Sequence, residues 1–407
     1  MKRWKEYFNE LLNVENAASE NVDTNDSVNV ETNAEQLEGI SEDEIRMTLR
    51  KLSCGKAAGV DEIRNEYLIC SGLVGLRWLH RIFNLAFKNS VVPKDWGGAV
   101  IAPLHKKGSN RDCNNYRGIS LLSVVGKLYS AILEKRTRAI VESLLDENQS
   151  GFRPLRGCQD QIFCMRQLME KFHERNLDLF LCFVDLQKAY DCIPRSKLWK
   201  VLSEYGINGP LLSAIKSLYA CSEAAVRMDG ELSEWFEVRN GLRQGCTISP
   251  LLFIIYMDKL IKSAQLRGRV TLGGNIISAL AYADDLVLFG SSEQELQNSI
   301  SDLEAACTDF GMTISSTKTQ VMHVGKNRKT INCSLNGSVL AQVTEFKYLG
   351  CVFSEDGKFD KEFEHRRMNG NKVVAQLRSH VFNKRELSEG TKLMIHRSIF
   401  RPTILYG

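Results

Sequence analysis

Two adjacent aspartates stand inside an otherwise apolar run, Ala281-Tyr282-Ala283-Asp284-Asp285-Leu286-Val287-Leu288-Phe289. Ionised carboxylates are costly to take out of water unless they are paired or bound to metal. Two in tandem, with apolar residues on both sides, therefore call for a cation. The pattern predicts a hairpin in which Leu280 to Ala283 form one strand, both aspartates sit at the turn, and Leu286 to Phe289 return. A lone Asp-Asp pair is more often a surface turn, so a third carboxylate decides the matter. Asp185 ends the run Leu179 to Val184, six consecutive apolar residues with the pattern of a strand covered on both faces. Three carboxylates converging on one point repel one another unless divalent ions neutralise them. Oxygen ligands of this kind suit Mg²⁺. Two such ions serve in-line displacement at phosphorus, one activating the attacking hydroxyl and the other steadying the leaving pyrophosphate. The chemistry expected from these residues is nucleotidyl transfer.

Between Asp185 and the Asp-Asp pair lies Asn240-Gly241-Leu242-Arg243-Gln244-Gly245-Cys246-Thr247-Ile248-Ser249-Pro250. Gly241 and Gly245 let backbone approach a flat partner closely. Arg243 reads equally as a phosphate contact or a solvated loop charge. Ser249 is expected as a helix N-cap and Pro250 as the first helical residue. Leu251, Leu252, Ile254, Ile255 and Met257 continue into a buried helix.

The positioning elements can be read around these sites. Trp4, Tyr7, Phe8, Leu11 and Leu12 fall at helical spacing, which predicts a short amphipathic helix over residues 3–13. Residues 15–37 have the polar, acidic composition of a linker. Ser41-x-x-Glu44 is a capping box with Ile45, Leu49 and Leu52 behind it on one face, and Leu73 to Phe87 form a further helix. Ser292-x-x-Glu295 opens another, with Leu296, Ile300, Leu303 and Cys307 inward and Gly311 as its stop. From about Asp360 the chain turns basic and helical through Lys361, His365, Arg366, Arg367, Lys372 and Arg378, and it ends on a strand-like Ile404-Leu405-Tyr406-Gly407.

Composition is that of an ordinary globular protein, 43% hydrophobic over 407 residues with a net charge of +4, long enough for two or three subdomains. The modest charge hides an asymmetry: Glu20 to Glu44 holds nine acidic residues and no Lys or Arg, so the remainder carries +13. That excess suits a phosphate-backbone partner. Twelve cysteines lie without a Cys-x-x-Cys pair, as expected of reduced thiols in a cytosolic or nuclear protein without a zinc site. No run approaches the ~18 apolar residues of a membrane span. The segment Met1-Lys2-Arg3-Trp4 has no signal-peptide core, so an intracellular protein is expected, without a membrane.

The ordered set Phe183-Val184-Asp185, Gly241-Leu242-Arg243-Gln244-Gly245 with Ser249-Pro250, and Tyr282-Ala283-Asp284-Asp285 resembles reverse transcriptase motifs A, B and C. More specifically it resembles the enzymes of non-LTR, LINE-type retrotransposons. Ile101 to Gly108 and Asn115 to Leu122 resemble the fingers of that family, and Arg117-Gly118-Ile119 points towards its RTE-like branch. Gln149-Ser150-Gly151-Phe152-Arg153 is another block of the group. Gly311 to Ile314 with Lys318-Thr319 resembles motif D, and Tyr348-Leu349-Gly350 the primer-grip motif E. The likeness runs from about residue 40 to 407 in consistent order.

The resemblance implies an α+β right-hand polymerase: fingers, a palm with an antiparallel sheet and covering helices, and a partial helical thumb. It implies an N-terminal helix and acidic linker over 1–40, a fingers extension over 41–88, fingers and palm over 89–355 and a partial thumb over 356–407. Asp185, Asp284 and Asp285 are the implied catalytic metal ligands for two Mg²⁺ ions, with Mn²⁺ able to substitute, and Asp284 is the stronger catalytic candidate of its pair. Asp191 is expected to make a structural hydrogen bond or a salt bridge rather than to bind metal. Lys106, Lys107 and Arg117 are implied at the triphosphate. Tyr190, placed under the incoming sugar, would exclude a ribose 2′-hydroxyl. Gln244 and Gly245 are implied at the nascent pair, Lys318 at the leaving pyrophosphate, and Tyr348, Leu349 and Gly350 at the primer. Ser315-Ser316 replace a longer polar loop and leave the register to Lys318 open. The implied partners are an RNA template, a DNA primer and deoxynucleoside triphosphates. No endonuclease motif is present, so a nick is expected from another chain. Two rival readings stand beside this one. An RNA-dependent RNA polymerase commonly carries Gly-Asp-Asp and a polar sugar reader, against which Tyr282-Ala283-Asp284-Asp285 and Tyr190 stand. An inactive remnant that at most binds nucleic acid is opposed by three intact carboxylates.

Overall fold

The structure is a computed structural model and describes residues 1–13, 38–106 and 108–407. The acidic linker and Lys107 lie outside the described residues. The fold is α+β, and the chain divides into two compact units, each threaded from three stretches.

One unit comprises Glu147–Leu186, Ile261–Ala306 and Ile314–Gly407. Its centre is a five-stranded sheet in the order Ala341–Gln342, Gln320–Val324, Leu179–Val184, Asp285–Gly290, Ala279–Tyr282. Pairing is antiparallel except at the edge, where Gln320–Val324 runs parallel to Ala341–Gln342. Leu179–Val184 is the middle strand, and all six of its residues are buried, as its unbroken apolar run predicts. One sheet face carries Leu181, Phe183, Val287, Phe289, Leu280 and Met322 into a core with Met165, Leu168, Met169 and Phe172 of the helix Cys158–Glu174. Burying side chains of this size contributes about 1.5–3 kcal/mol each, which holds the strand ends below in place.

A two-stranded hairpin, Glu345–Tyr348 with Cys351–Ser354, packs into the same core through Tyr348, Cys351 and Phe353. Tyr348 pairs with Cys351, leaving Leu349 and Gly350 as a two-residue loop with φ of +46° and +83°. Positive φ at both positions is the loop whose twist matches that of paired strands. The helix Asp360–Leu377 follows where the basic run predicts one. The chain end is not a strand. Arg401–Ile404 is helical, and Tyr406 turns back to donate from its hydroxyl to Leu349 O at 2.7 Å. Ile, Leu and Tyr are apolar in either conformation, and it is docking on the hairpin loop that selects the helix.

The other unit comprises Met1–Asp146, Gln187–Leu260 and Cys307–Thr313. Gly98–His105 pairs antiparallel with Tyr116–Leu122 and parallel with Glu223–Met228. Around these strands lie Lys2–Leu12, Gly72–Asn89, Val124–Val141 and Gly209–Ala220, the first two close to the helices predicted over 3–13 and 73–87. The Ser41 box forms in full: Ser41 Oγ accepts from Glu44 N at 3.2 Å, and Glu44 Oε2 accepts from Ser41 N at 2.9 Å. At the second predicted box Ser292 Oγ accepts from Glu295 N, but the Glu295 carboxylate reaches Ser291 instead of Ser292.

Candidate active site

The turn of the Asp-Asp hairpin lies one residue earlier than the sequence predicts, at the same length. Tyr282 pairs with Asp285, so the loop is Ala283-Asp284 and Asp285 is the first residue of the returning strand. Ala283 has φ +60°, a left-handed conformation that costs a non-glycine residue about 1–3 kcal/mol. The offset fixes where the second carboxylate lies. Leu286 faces Val184 across the sheet, and one further step along that register sets Asp285 opposite Asp185, on the sheet face of Phe183 and Val287. Residues directly opposite in an antiparallel pair have Cβ atoms about 4.5–5.5 Å apart. Asp284 is exposed at the loop between them.

The electrostatics fit a cation. Asp285 is exposed at the head of its strand, yet partial desolvation there, then the neighbouring charges of Asp284 and Asp185, push its pKa up to about 6. Asp185 Oδ2 is buried with no hydrogen-bond partner, and Lys318 Nζ stands 3.4 Å away at ion-pair distance but without hydrogen-bond geometry. An orphaned acceptor beside like charges is a donor set for a divalent ion. Among the described residues no three His, Cys, Asp or Glu side chains are grouped closely enough to hold a metal ion. The Tyr348 hydroxyl of the Glu345–Tyr348 hairpin is also buried without a partner, and burial, then Asp285, raises its pKa.

The motif D segment clamps Asp185 from behind. Ser315 N donates to Asp185 O at 2.8 Å, Asp185 N donates to Thr319 Oγ1 at 3.2 Å, and Thr319 N donates to Ser315 O at 2.9 Å. This closed turn sets the register that Ser315-Ser316 left open and brings Lys318 to Asp185.

The other unit holds a second set of predicted residues. Asp191 is buried and accepts from Gln244 Nε2 at 2.9 Å, the structural hydrogen bond expected of it. Burial raises its pKa, against the Gln244 bond and the positive charges of Lys188, Arg117 and Lys106. Arg117 and Lys106 are exposed, on and just beyond the paired strands Tyr116–Leu122 and Gly98–His105. The glycine loop is fastened to the Tyr190 turn: Leu242 N donates to Tyr190 O at 3.0 Å and Gly241 N to Ile193 O at 2.9 Å. Gly241 has φ +72°, and a Cβ there would meet Asp191 O at 2.4 Å. At Gly245, φ +108°, a Cβ would lie 2.7 Å from Ser120 O. The Tyr190 ring stacks on Phe253 with centroids 5.3 Å apart.

Two readings of this loop are corrected. Arg243 is neither a phosphate contact nor a solvated charge: it is buried and donates to Trp96 O at 2.8 Å, to Ser222 Oγ at 3.1 Å and to Leu218 O. Ser249 is already helical in Ser249–Ala264, and its hydroxyl meets that of Tyr219 at 2.8 Å instead of capping. Arg195, which no pattern in the sequence singles out, donates to Gly241 O at 3.1 Å and Val238 O at 2.9 Å and so pins the loop.

A family model described as reverse transcriptase (RNA-dependent DNA polymerase) matches residues 104–353, more than half of the chain. Over 275 residues the chain is 28% identical to the Transposon TX1 uncharacterized 149 kDa protein of Xenopus laevis, covering 66% of this chain and 21% of that one. It is 25% identical to the Pol polyprotein of the Drosophila melanogaster type-2 retrotransposable element R2DM, covering 78% and 30%. It is 24% identical to the RNA-directed DNA polymerase of the Drosophila melanogaster mobile element jockey, covering 91% and 41%. The chain thus spans well under half the length of each. The family match takes in Asp185, Gln244, Asp284, Asp285, Lys318 and Tyr348. With it, the chain belongs to the reverse transcriptase family, among relatives from non-LTR, LINE-type retrotransposons.

Proposed function

We propose that this chain is an RNA-directed DNA polymerase that extends a DNA primer on an RNA template with deoxynucleoside triphosphates. One observation carries the reading: Asp185 and Asp285 end adjacent strands in facing register, Asp284 stands at the loop, and Asp185 Oδ2 is buried without a hydrogen bond. In this reading Asp185, Asp284 and Asp285 hold two Mg²⁺ ions, for which Mn²⁺ can substitute. When bound, the ions supply a polarised primer 3′-hydroxyl and neutralise charge on the leaving pyrophosphate. Lys318 exchanges its Asp185 partner for the pyrophosphate and offers it a proton. Tyr348, Leu349 and Gly350 take the primer strand.

Place in the family motifs supports the remaining roles. Lys106, Lys107 and Arg117 neutralise the triphosphate, Tyr190 bars the ribose 2′-hydroxyl, and Gln244 and Gly245 meet the nascent pair. Residues 41–88 then extend the fingers, 89–355 form fingers and palm, and 356–407 begin the thumb.

Primer extension by the purified chain, with Mg²⁺ beside an Asp284→Ala control, tests this. Extension is expected to fall by roughly 10²-fold or more in the control, on the scale of losing a group that stabilises transition-state charge. Activity retained by folded Asp284→Ala would sink the site. Nucleic-acid binding without extension by the wild type would leave the remnant reading.

A further inference from the structure

We propose that Gln149 is a positioning residue whose side-chain oxygen fixes the Ala283-Asp284 loop and thereby sets the spacing of Asp284 and Asp285. The proposal rests on the polymerase reading above and goes beyond it to the device that holds the site.

Gln149 is 2% exposed. Its segment lies along the Asp-Asp hairpin: Gln149 bridges Ala281 in parallel, Ser150 N donates to Ala281 O at 3.0 Å, and Ala281 N donates to Asn148 O at 3.1 Å. From that position Gln149 Oε1 accepts two backbone hydrogen bonds, from Gly151 N at 2.8 Å and from Ala283 N at 3.0 Å. Ala283 is the residue held at φ +60°, so the acceptor grips the loop where its backbone is least at ease. Gln149 Nε2 is buried with no partner. The amide is therefore oriented by what its oxygen receives, and its nitrogen contributes no bond. The approach is too close for any side chain at Gly151, where a Cβ would lie 2.3 Å from Ala283 N. Gln161, on the helix Cys158–Glu174, braces the segment from behind by donating to Asn148 O at 2.9 Å and Ser150 Oγ at 2.7 Å.

Without the Gln149 oxygen, the Ala283 N–H is left in a buried site without an acceptor, and the loop gains by relaxing out of the left-handed region. Asp284 moves with the loop. Asp285, whose strand pairing begins there, loses its fixed start.

The test uses the full chain with Gln149→Met, which keeps side-chain length and removes the acceptor, and Gln149→Glu, which keeps the acceptor and removes the orphaned donor. Gly151→Ala disturbs the same loop from the other side. Mn²⁺ affinity is read by electron paramagnetic resonance titration, and kcat, deoxynucleotide KM and Mg²⁺ half-saturation by primer extension, each per folded molecule. Gln149→Met and Gly151→Ala are expected to lower kcat by roughly 10–10²-fold, the scale of a small misplacement of reacting groups. They should also weaken Mn²⁺ binding and raise the Mg²⁺ half-saturation, with deoxynucleotide KM little changed. Gln149→Glu should recover most of kcat. The proposal is overturned if Gln149→Met lowers only the melting temperature, or if Gln149→Glu is as impaired as Gln149→Met. Should the wild type extend no primer, the polymerase reading fails, and Mn²⁺ affinity across the variants still decides the role of Gln149.

Discussion

Tyr190 shows what a single residue type discloses and what it leaves to the fold. The family resemblance implies a gate under the incoming sugar, and the Tyr190 ring is held by stacking on Phe253, which would give a steric block the rigidity it needs. Tyr190→Ala is expected to raise ribonucleotide incorporation relative to deoxynucleotide, measured as the ratio of the two kcat/KM values. Unchanged sugar discrimination would remove the assignment. Charged residues were less legible. Arg243 reads in sequence as a phosphate contact or a solvated charge, yet it is buried among backbone carbonyls, and the half-buried Arg195, which no pattern marks, meets carbonyls too. Their partners come from distant parts of the chain, and no local pattern encodes that. Gln149 was visible only as part of a motif block, because a polar residue carries no periodic signal of its burial. The three aspartates were legible because carboxylates beside apolar strands break a pattern that every neighbour obeys.

Elements were read more securely where a local rule closes on itself. The Ser41 box is complete, and its Glu44 does more than cap. Arg136, on Val124–Val141, donates to both Glu44 oxygens at 2.8 Å and also to Glu38 O and Gly39 O at 2.9 Å. That one guanidinium ties residues 38–44 to a helix some ninety positions away, which the capping pattern alone does not reveal. Burial opposes ionisation of Glu44, but the bonds from Arg136 and Ser41 win and lower its pKa from 4.5. A depressed carboxyl stabilises the fold above its unfolded pKa, and that stability is lost as pH falls through the folded value. Glu44→Gln should therefore cost about 1–3 kcal/mol at neutral pH, the scale of a charge-assisted hydrogen bond. The gap in thermal stability between variant and wild type should narrow once pH drops below 4.5. A gap that persists unchanged at low pH would mean that the carboxylate charge is not what holds the segment. The Asp-Asp turn lies one residue earlier than its pattern suggests for a similar reason: apolar residues place the strands, while the position of the turn is set by pairing register, and Asp285 begins the returning strand.

At the scale of the molecule, length predicted more than one subdomain, but not that each would be threaded from three separate stretches. Hydrophobic periodicity reports on neighbours in sequence, and such threading depends on which strands pair across long separations. Charge, in contrast, is a whole-chain property and is fully legible. Residues 15–37 carry six acidic residues and no Lys or Arg, so removing them takes the net charge from +4 to +10. If the partner is a nucleic acid, those negative charges repel its backbone at any distance within a Debye length, about 10 Å at 0.1 M salt and about 3 Å at 1 M. Deleting 15–37 and joining the flanks with a neutral linker of equal length keeps the tether and removes only the charge. Primer-template affinity, measured by fluorescence anisotropy, should then rise severalfold at low salt, and the advantage should vanish as salt approaches molar. Tighter binding that persists at high salt would point instead to a direct contact made by the segment. No change at any salt would mean that its charge lies beyond reach of the bound strand, and that the +10 on the rest of the chain acts undiminished.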